Sequence, residues 1–251
     1  MQVSQRLLLA LAALSADHIG DARPSPTSSS KPGQQGPVKK DTSQLPRPLL
    51  GSVPYGADIR SCTVPGKVAL TFDDGPWQYT SDLLDVLDAN DGVKATFFVV
   101  GNNQDHGHID DPATGYPDVL RRMHAAGHQI GSHTWTHANL DTLTTEGRRA
   151  EILRNEDALA NYDVDTKDYE GDYDYARTVY SGNITYGGTP QDASHIVLSH
   201  DVWDGTVHGF AQFMVDEARN AGFELVTMGD CLGDPAENWY RDASTGGAWT
   251  G

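Results

Sequence analysis

The stretch VALTFDDGPW, Val68–Trp77, decides how the rest of the chain is read. Its first five residues are β-branched, apolar or aromatic, without the polar alternation of a strand that has one wet face. That composition fits a strand buried on both sides, as in a parallel sheet. The run then ends on two adjacent carboxylates, Asp73 and Asp74, followed by Gly75 and Pro76, which turn the chain. Neighbouring like charges repel wherever they are partly buried, so the pair needs either a solvated turn or a compensating cation.

Strand and helix patterns alternate on both sides of this stretch. Helical spacing covers 81–89, a second strand 94–100, a helix 118–126 and a short third strand 129–132. A long helical pattern covers 144–160, capped by Thr144 or Thr145. A strand is expected around 162–166, another at 195–199 (HIVLS), a helix at 207–221 and a last strand at 224–228. Such repeated units imply an α/β fold with a parallel sheet, open or closed into a barrel. In those folds chemistry gathers at the carboxyl ends of the strands.

The chain has 251 residues, enough for one ordinary domain, with 35 acidic against 18 basic side chains and a formal charge of -17. That field excludes a nucleic-acid partner, which needs a basic stripe. Residues 1–20 carry Arg6, the apolar run Leu7–Leu14 and small residues at Ser15 and Ala16. They read as a signal peptide too short to span a bilayer, so the expected product is secreted, with no membrane contact after cleavage. Residues 21–50 are rich in Pro, Ser, Gly and Lys and read as a disordered linker, leaving 51–251 as the folded domain. Cys62 and Cys231 are the only cysteines, and in a secreted chain they are expected to form one disulfide tying the domain's ends together. Asn183 heads the single N-glycosylation sequon, Asn183-Ile184-Thr185.

The polar residues at the strand ends form a set. Asp73 and Asp74 close the first strand, His133 and His137 follow the third, and Ser199-His200-Asp201 closes the strand at 195. Two imidazoles and one carboxylate make a divalent-metal site with open positions. A second carboxylate can then act as general base and a third histidine as general acid. The spacing H-x-x-x-H lacks the glutamate of H-E-x-x-H, because Thr134 follows His133. Adjacent carboxylates on one strand end cannot flank a glycosidic bond, and the D-x-D-x-T phosphatase pattern fails at Lys167.

The segments TFDDGP (71–76), His133 with His137, and Leu198-Ser199-His200 together resemble the polysaccharide deacetylase family, carbohydrate esterases of the nodulation-protein-B homology type. KVALTFDDGP, ATFFVVGNN and DVDTKDYE look most like secreted fungal chitin deacetylases. The resemblance covers about Val64 to Met228. It implies a distorted (β/α) barrel and hydrolysis of N-acetyl groups from chitin or chitin oligosaccharides by a metal-dependent enzyme, expected to be a monomer. It also implies a divalent metal, zinc first and cobalt or a similar ion second, held by Asp74, His133 and His137. Asp73 would be the base, His200 the acid, Asp165 the carboxylate that tunes His200, and Leu198 the wall against the acetyl methyl. Tyr169 and Trp77, with Trp135 and Trp203, are candidates to stack on sugar rings.

The chain departs from the family at one place. The family has an Arg-Pro segment on its own strand, whose arginine pairs with the base, and no Arg-x-Pro stands between His137 and Asp165. The helical pattern ending at Ala160 runs straight into Asn161–Asp165, without the roughly two to six residues of a usual helix-to-strand connection. A barrel lacking one βα unit near residue 160, and impaired turnover, are therefore expected. The alternatives are a non-catalytic chitin-binding isoform or decoy, or acetylxylan or peptidoglycan as substrate.

Overall fold

The computed structural model describes residues 46, 48–54, 57, 59–102, 106–154, 164–186, 188–241, 245, 247 and 248, with backbone alone at 153, 154, 164 and 165. The expected signal peptide, most of the linker and the Ala160/Asn161 junction lie outside them. Among the described residues six strands and six α-helices follow in the order β1 (Lys67–Asp73), α1 (Thr80–Ala89), β2 (Thr96–Val99), α2 (Tyr116–Ala125), β3 (Gln129–Ser132), α3 (Thr145–Arg154), β4 (Val164–Asp165), α4 (Tyr173–Tyr186), β5 (His195–His200), α5 (Ala211–Asn220), β6 (Glu224–Val226) and α6 (Met228–Cys231). Short 3-10 turns and one π turn fill the connections. No helix among the described residues is long and apolar enough to cross a membrane.

All strand pairs are parallel, in the order β3-β2-β1-β5-β4. One edge of β1 pairs with β5 along Val68–Asp73, while the other is shared, Lys67–Ala69 with β6 and Thr71–Asp73 with β2. Among the described residues the sheet does not close. β3 and β4 end its main path, β6 pairs with β1 alone, and the chain between β3 and β4 contains α3 and residues 155–163. The expected distorted barrel is thus present as an open, parallel α/β sheet.

Strand periodicity assigns the two faces. Val68, Leu70 and Phe72 of β1, Phe97 and Val99 of β2, and Val197 of β5 enter the large core under the helices. There they meet Leu83, Leu84 and Leu87 of α1 and Met214, Val215 and Ala218 of α5. The alternate residues Ala69, Phe98 and Ile196 face a smaller cluster with Val226, Met228, Cys62 and Cys231. Thr71, Asp73, Leu198 and His200 continue that second series toward the carboxyl ends, which sets base and acid candidates on one face.

Two departures from the sequence expectations have plain causes. Helix α4 was not expected, because YDYARTVYSGNITY is rich in aromatic and β-branched residues of modest helix propensity. Burial holds it: Ala176, Tyr180 and Ile184, spaced by four, are fully buried, and Tyr180 Oη donates to the Met214 carbonyl at 2.9 Å. Asp172 adds a cap, accepting the Tyr175 N–H at 3.0 Å. The last strand stops at Val226, short of the expected residue 228, because Thr227 caps α6 by accepting the Asp230 N–H. Helix α3 is described from Thr145 to Arg154, and the rest of its expected length lies outside the described residues.

Cys62 and Cys231 form the expected disulfide across 169 residues, and the Thr63 and Val64 N–H groups donate to the Cys231 carbonyl at 3.0 and 3.2 Å. Replacing both cysteines by serine should lower unfolding stability by about 2–5 kcal/mol, measured by urea titration. A second expectation concerns His128, which is 2% exposed; its Nδ1 accepts the Ala95 N–H at 3.2 Å. Burial, then Lys94, pushes its pKa down to about 4. The fold therefore disfavours the imidazolium, so its cost is absent above the unfolded pKa and grows as pH falls from 6.5 toward 4. A His128→Gln variant should lose less stability than the parent between those pH values; an identical loss would contradict this.

Candidate active site

The parallel register builds the site. Asp73 lies opposite Phe98 of β2 and opposite His200 of β5, so the ends of β1 and β5 deliver a carboxylate and an imidazole side by side. Asp74 then leaves the strand with φ 76°. His133 follows β3 directly, its N–H donating to the Val99 carbonyl at 2.9 Å. The next loop carries Thr134 at φ 66° and His137 at φ 56°, with the His137 N–H bonded to Thr134 Oγ1 at 3.1 Å. Glu151 of α3 anchors this loop, accepting from the Thr136 N–H at 2.8 Å and its hydroxyl at 2.9 Å. Left-handed backbone at non-glycine residues costs energy, yet Asp74, Thr134, His137 and Lys167 all adopt it around this rim. Such clustering is a mark of functional sites, where the surrounding structure over-determines the conformation.

Asp74, His133 and His137 converge. Asp74 Oδ1 lies 3.3 Å from His133 Nε2 and 3.4 Å from His137 Nε2, and the three donor atoms fall within 4.8 Å of one another. They fit a divalent cation with open positions for water and substrate. Asp73 stands beside them with Oδ2 3.7 Å from His133 Nε2, while its buried Oδ1 has no hydrogen-bond partner among the described residues. The two carboxylates differ electrostatically. Burial pushes Asp73 up to about 6 against the pull of His133 and His200. Burial acts upward on Asp74 too, but its hydrogen bond with His133 and the charges of His137, His133 and His200 outweigh that and leave it lowered. In His133 burial acts downward and is outweighed by Asp74 and Asp73, so its pKa is raised.

The opposite wall is formed by His200. Its Nδ1 lies 2.9 Å from Asp168 Oδ1, and its N–H donates to Asp168 Oδ2 at 2.8 Å. Thr206 Oγ1 also donates to Asp168 Oδ2, at 2.7 Å. Asp168 thus makes a contact of the kind expected of Asp165, whose side chain lies outside the described atoms. The Asp165 backbone sits on β4 in register with Leu198, and Asp168 follows three residues later, after Lys167 at φ 61°. Burial lowers the His200 pKa, but the Asp168 hydrogen bond and charge outweigh it and raise the net value. Sequence reasoning missed Asp168; the signal was the second carboxylate of Asp165-Thr166-Lys167-Asp168.

The remaining candidates are spread more widely. Leu198 is buried on β5, and its carbonyl accepts from Thr166 Oγ1 at 2.9 Å. Tyr169 stands edge-on to the His200 ring at 5.5 Å, and Trp77 stacks on His106 at 4.2 Å. Asn183 is on the exposed side of α4, its Nδ2 donating to the Val179 carbonyl at 2.8 Å.

Scaffold and rim define the class: a parallel α/β sheet carrying a candidate single-metal centre, with a separate carboxylate and a carboxylate-held imidazole beside it. The chain belongs to the polysaccharide deacetylase family, whose profile matches residues 60–180. It is 41% identical to a chitin deacetylase of Pestalotiopsis sp, over 76% of this chain and 72% of that protein. It is 38% identical to the chitin deacetylase of Colletotrichum lindemuthianum, over 75% of this chain and 88% of that one. The structure of the Colletotrichum lindemuthianum enzyme superposes with a TM-score of 0.67 at 34% identity, covering 76% of this chain and 97% of that one. The chain is also 40% identical to a probable peptidoglycan-N-acetylglucosamine deacetylase of Arthroderma benhamiae, but spans only 49% of that protein's length.

Metal binding gives the direct check. His133→Ala and His137→Ala should each weaken Co2+ or Zn2+ affinity by more than the roughly 10–100-fold typical of residues supporting a ligand, read by titration calorimetry. Asn183→Gln should leave it unchanged. Equal affinity in the histidine variants would contradict the site.

Proposed function

We propose that this chain hydrolyses N-acetyl groups of chitin or chitin oligosaccharides, with Asp73 as general base and His200 as general acid. One observation carries the reading. A three-donor cluster, a carboxylate oxygen without a hydrogen-bond partner among the described residues and an imidazole held by a buried carboxylate all meet on one rim. The chitin deacetylases named among its relatives favour that substrate over acetylxylan or peptidoglycan. A divalent ion held by Asp74, His133 and His137, zinc in our reading and cobalt as a substitute, would supply Lewis acidity and a water of lowered pKa.

The chain's own residues divide the proton work. Asp73 takes a proton from the attacking water through Oδ1, as the water oxygen bonds to the acetyl carbon. The carbon–nitrogen bond then breaks, and His200 gives a proton from Nε2 to the departing amine. Acetate and a glucosamine unit result. Asp168 holds Nδ1–H, which fixes the ring's orientation and favours the charged form that must precede proton donation. Leu198 lies against the acetyl methyl, and Trp77 and Tyr169 face the sugar rings. Secretion led by residues 1–20, action outside the cell or at the wall, and a monomeric state belong to the same reading; the disulfide supports an oxidising compartment.

A second reading, a chitin-binding protein without turnover, is favoured by the electrostatics of Asp73. Among the described residues no lysine or arginine pairs with it, and histidines are its cationic neighbours. Acetate release from chitin oligosaccharides with added zinc separates the two. Turnover should rise with pH to a midpoint at or below about 6, because the base must lose its proton and a bound cation favours the carboxylate. Asp73→Asn should lower kcat by about a hundredfold or more. Zinc binding without acetate release would favour the non-catalytic reading.

A further inference from the structure

Asp201 is fully buried, follows His200 directly, and has no part in the chemistry above. Its Oδ2 accepts a 2.5 Å hydrogen bond from Thr80 Oγ1, at the first residue of α1. That hydroxyl in turn accepts the Trp77 N–H at 2.9 Å, which directs its proton toward the carboxylate. A three-group relay therefore runs from the Trp77 backbone through Thr80 to Asp201. Asp201 Oδ1 is buried and without a hydrogen-bond partner among the described residues. Placing such a group without a cation is unfavourable, so filling space is a poor account of it.

What the carboxyl packs against supplies the better account. A Cβ added to Gly75 would come within 2.5 Å of Asp201 Oδ1 and 2.6 Å of its Cγ, closer than real Cβ atoms approach. Gly75 is thus a glycine because the Asp201 carboxyl occupies the place of a side chain. On its other side the Gly75 carbonyl accepts the Val100 N–H at 2.9 Å. The residue after Asp74 is clamped between β2 and the end of β5.

We propose that Asp201 is the positioning residue for the two active carboxylates: packed on Gly75 and bonded to Thr80, it fixes the turn Gly75–Trp77 and so the aim of Asp73 and Asp74. The dipeptide His200–Asp201 then joins the two sides of the reacting centre. His200 is oriented by Asp168, and the next residue holds the turn that carries the metal ligand and the base. A substitution at Asp201 acts through Asp74 and Asp73, without touching substrate. This inference rests on the proposed reaction for its kinetic consequence and on the donor cluster for its binding consequence.

The test measures Zn2+ affinity by calorimetry, and kcat and KM on chitin oligosaccharides, for folded wild-type, Asp201→Ala, Asp201→Asn, Thr80→Val and Gly75→Ala proteins. Asp201→Ala should weaken zinc binding about 10–100-fold and lower kcat, with KM nearly unchanged, as loss of a group supporting a ligand does. Asp201→Asn keeps an acceptor for Thr80 and should restore most of the affinity. Gly75→Ala should weaken binding similarly, and combining it with Asp201→Ala should add little, because both act on one contact. If Asp201→Ala does not fold, Thr80→Val decides the matter, since it removes the relay's hydroxyl while keeping its shape. Wild-type zinc affinity in a folded Asp201→Ala protein, or in Thr80→Val where Asp201→Ala does not fold, overturns the inference. A wild-type chain that binds zinc yet releases no acetate overturns the proposed reaction and leaves the affinity comparison to decide on Asp201; one that binds no zinc overturns both.

Discussion

The register between β1 and β5 is the constraint on which the rest depends. Six consecutive residue pairs, from Val68 with His195 to Asp73 with His200, hold two largely buried strands in parallel. A slip of one residue would turn the shifted strand's side chains to the opposite face relative to its partner. Asp73 would enter the apolar layer with Phe72's neighbours, and His200 would leave the rim. The apolar faces of Leu70, Phe72 and Val197 oppose that slip, so the core that stabilises the sheet also sets the spacing of Asp73 and His200, the proposed base and acid. Site geometry and packing are here one requirement.

Around that register the site separates two adjacent carboxylates by environment. Asp74 steps out through a left-handed residue into reach of His133 and His137, and its pKa falls. Asp73 stays on the strand, buried, and its pKa rises. One group is suited to remain ionised beside a cation and the other to exchange a proton near neutrality. The like-charge cost that the pair carries in the bare sequence becomes a difference in role.

Much of this was legible in the sequence because it depends on local order. The apolar run ahead of Asp73 announced a buried strand, the four-residue spacing of His133 and His137 placed both on one loop, and two cysteines allowed one bridge. What was not legible depends on tertiary contacts. Helix α4 is held by Tyr180 and Ile184 in the core and not by propensity. Asp168 reaches His200 only because Lys167 turns the chain after β4, a conformation that lysine does not advertise. Asp201 could not be separated from an ordinary turn residue until Gly75 and Thr80 were seen against it. The absence of an Arg-Pro segment was legible, and among the described residues Asp73 Oδ1 has no hydrogen-bond partner.

The proposed reaction depends on one division of labour, metal ligation by Asp74 and proton transfer by Asp73. Anomalous diffraction at the zinc edge from crystals of the zinc-loaded protein measures it directly. The expected result is one zinc about 2.0–2.2 Å from Asp74, His133 Nε2 and His137 Nε2, with Asp73 outside coordination distance. Zinc coordinated by Asp73 in place of Asp74, or no zinc at this rim, would contradict it.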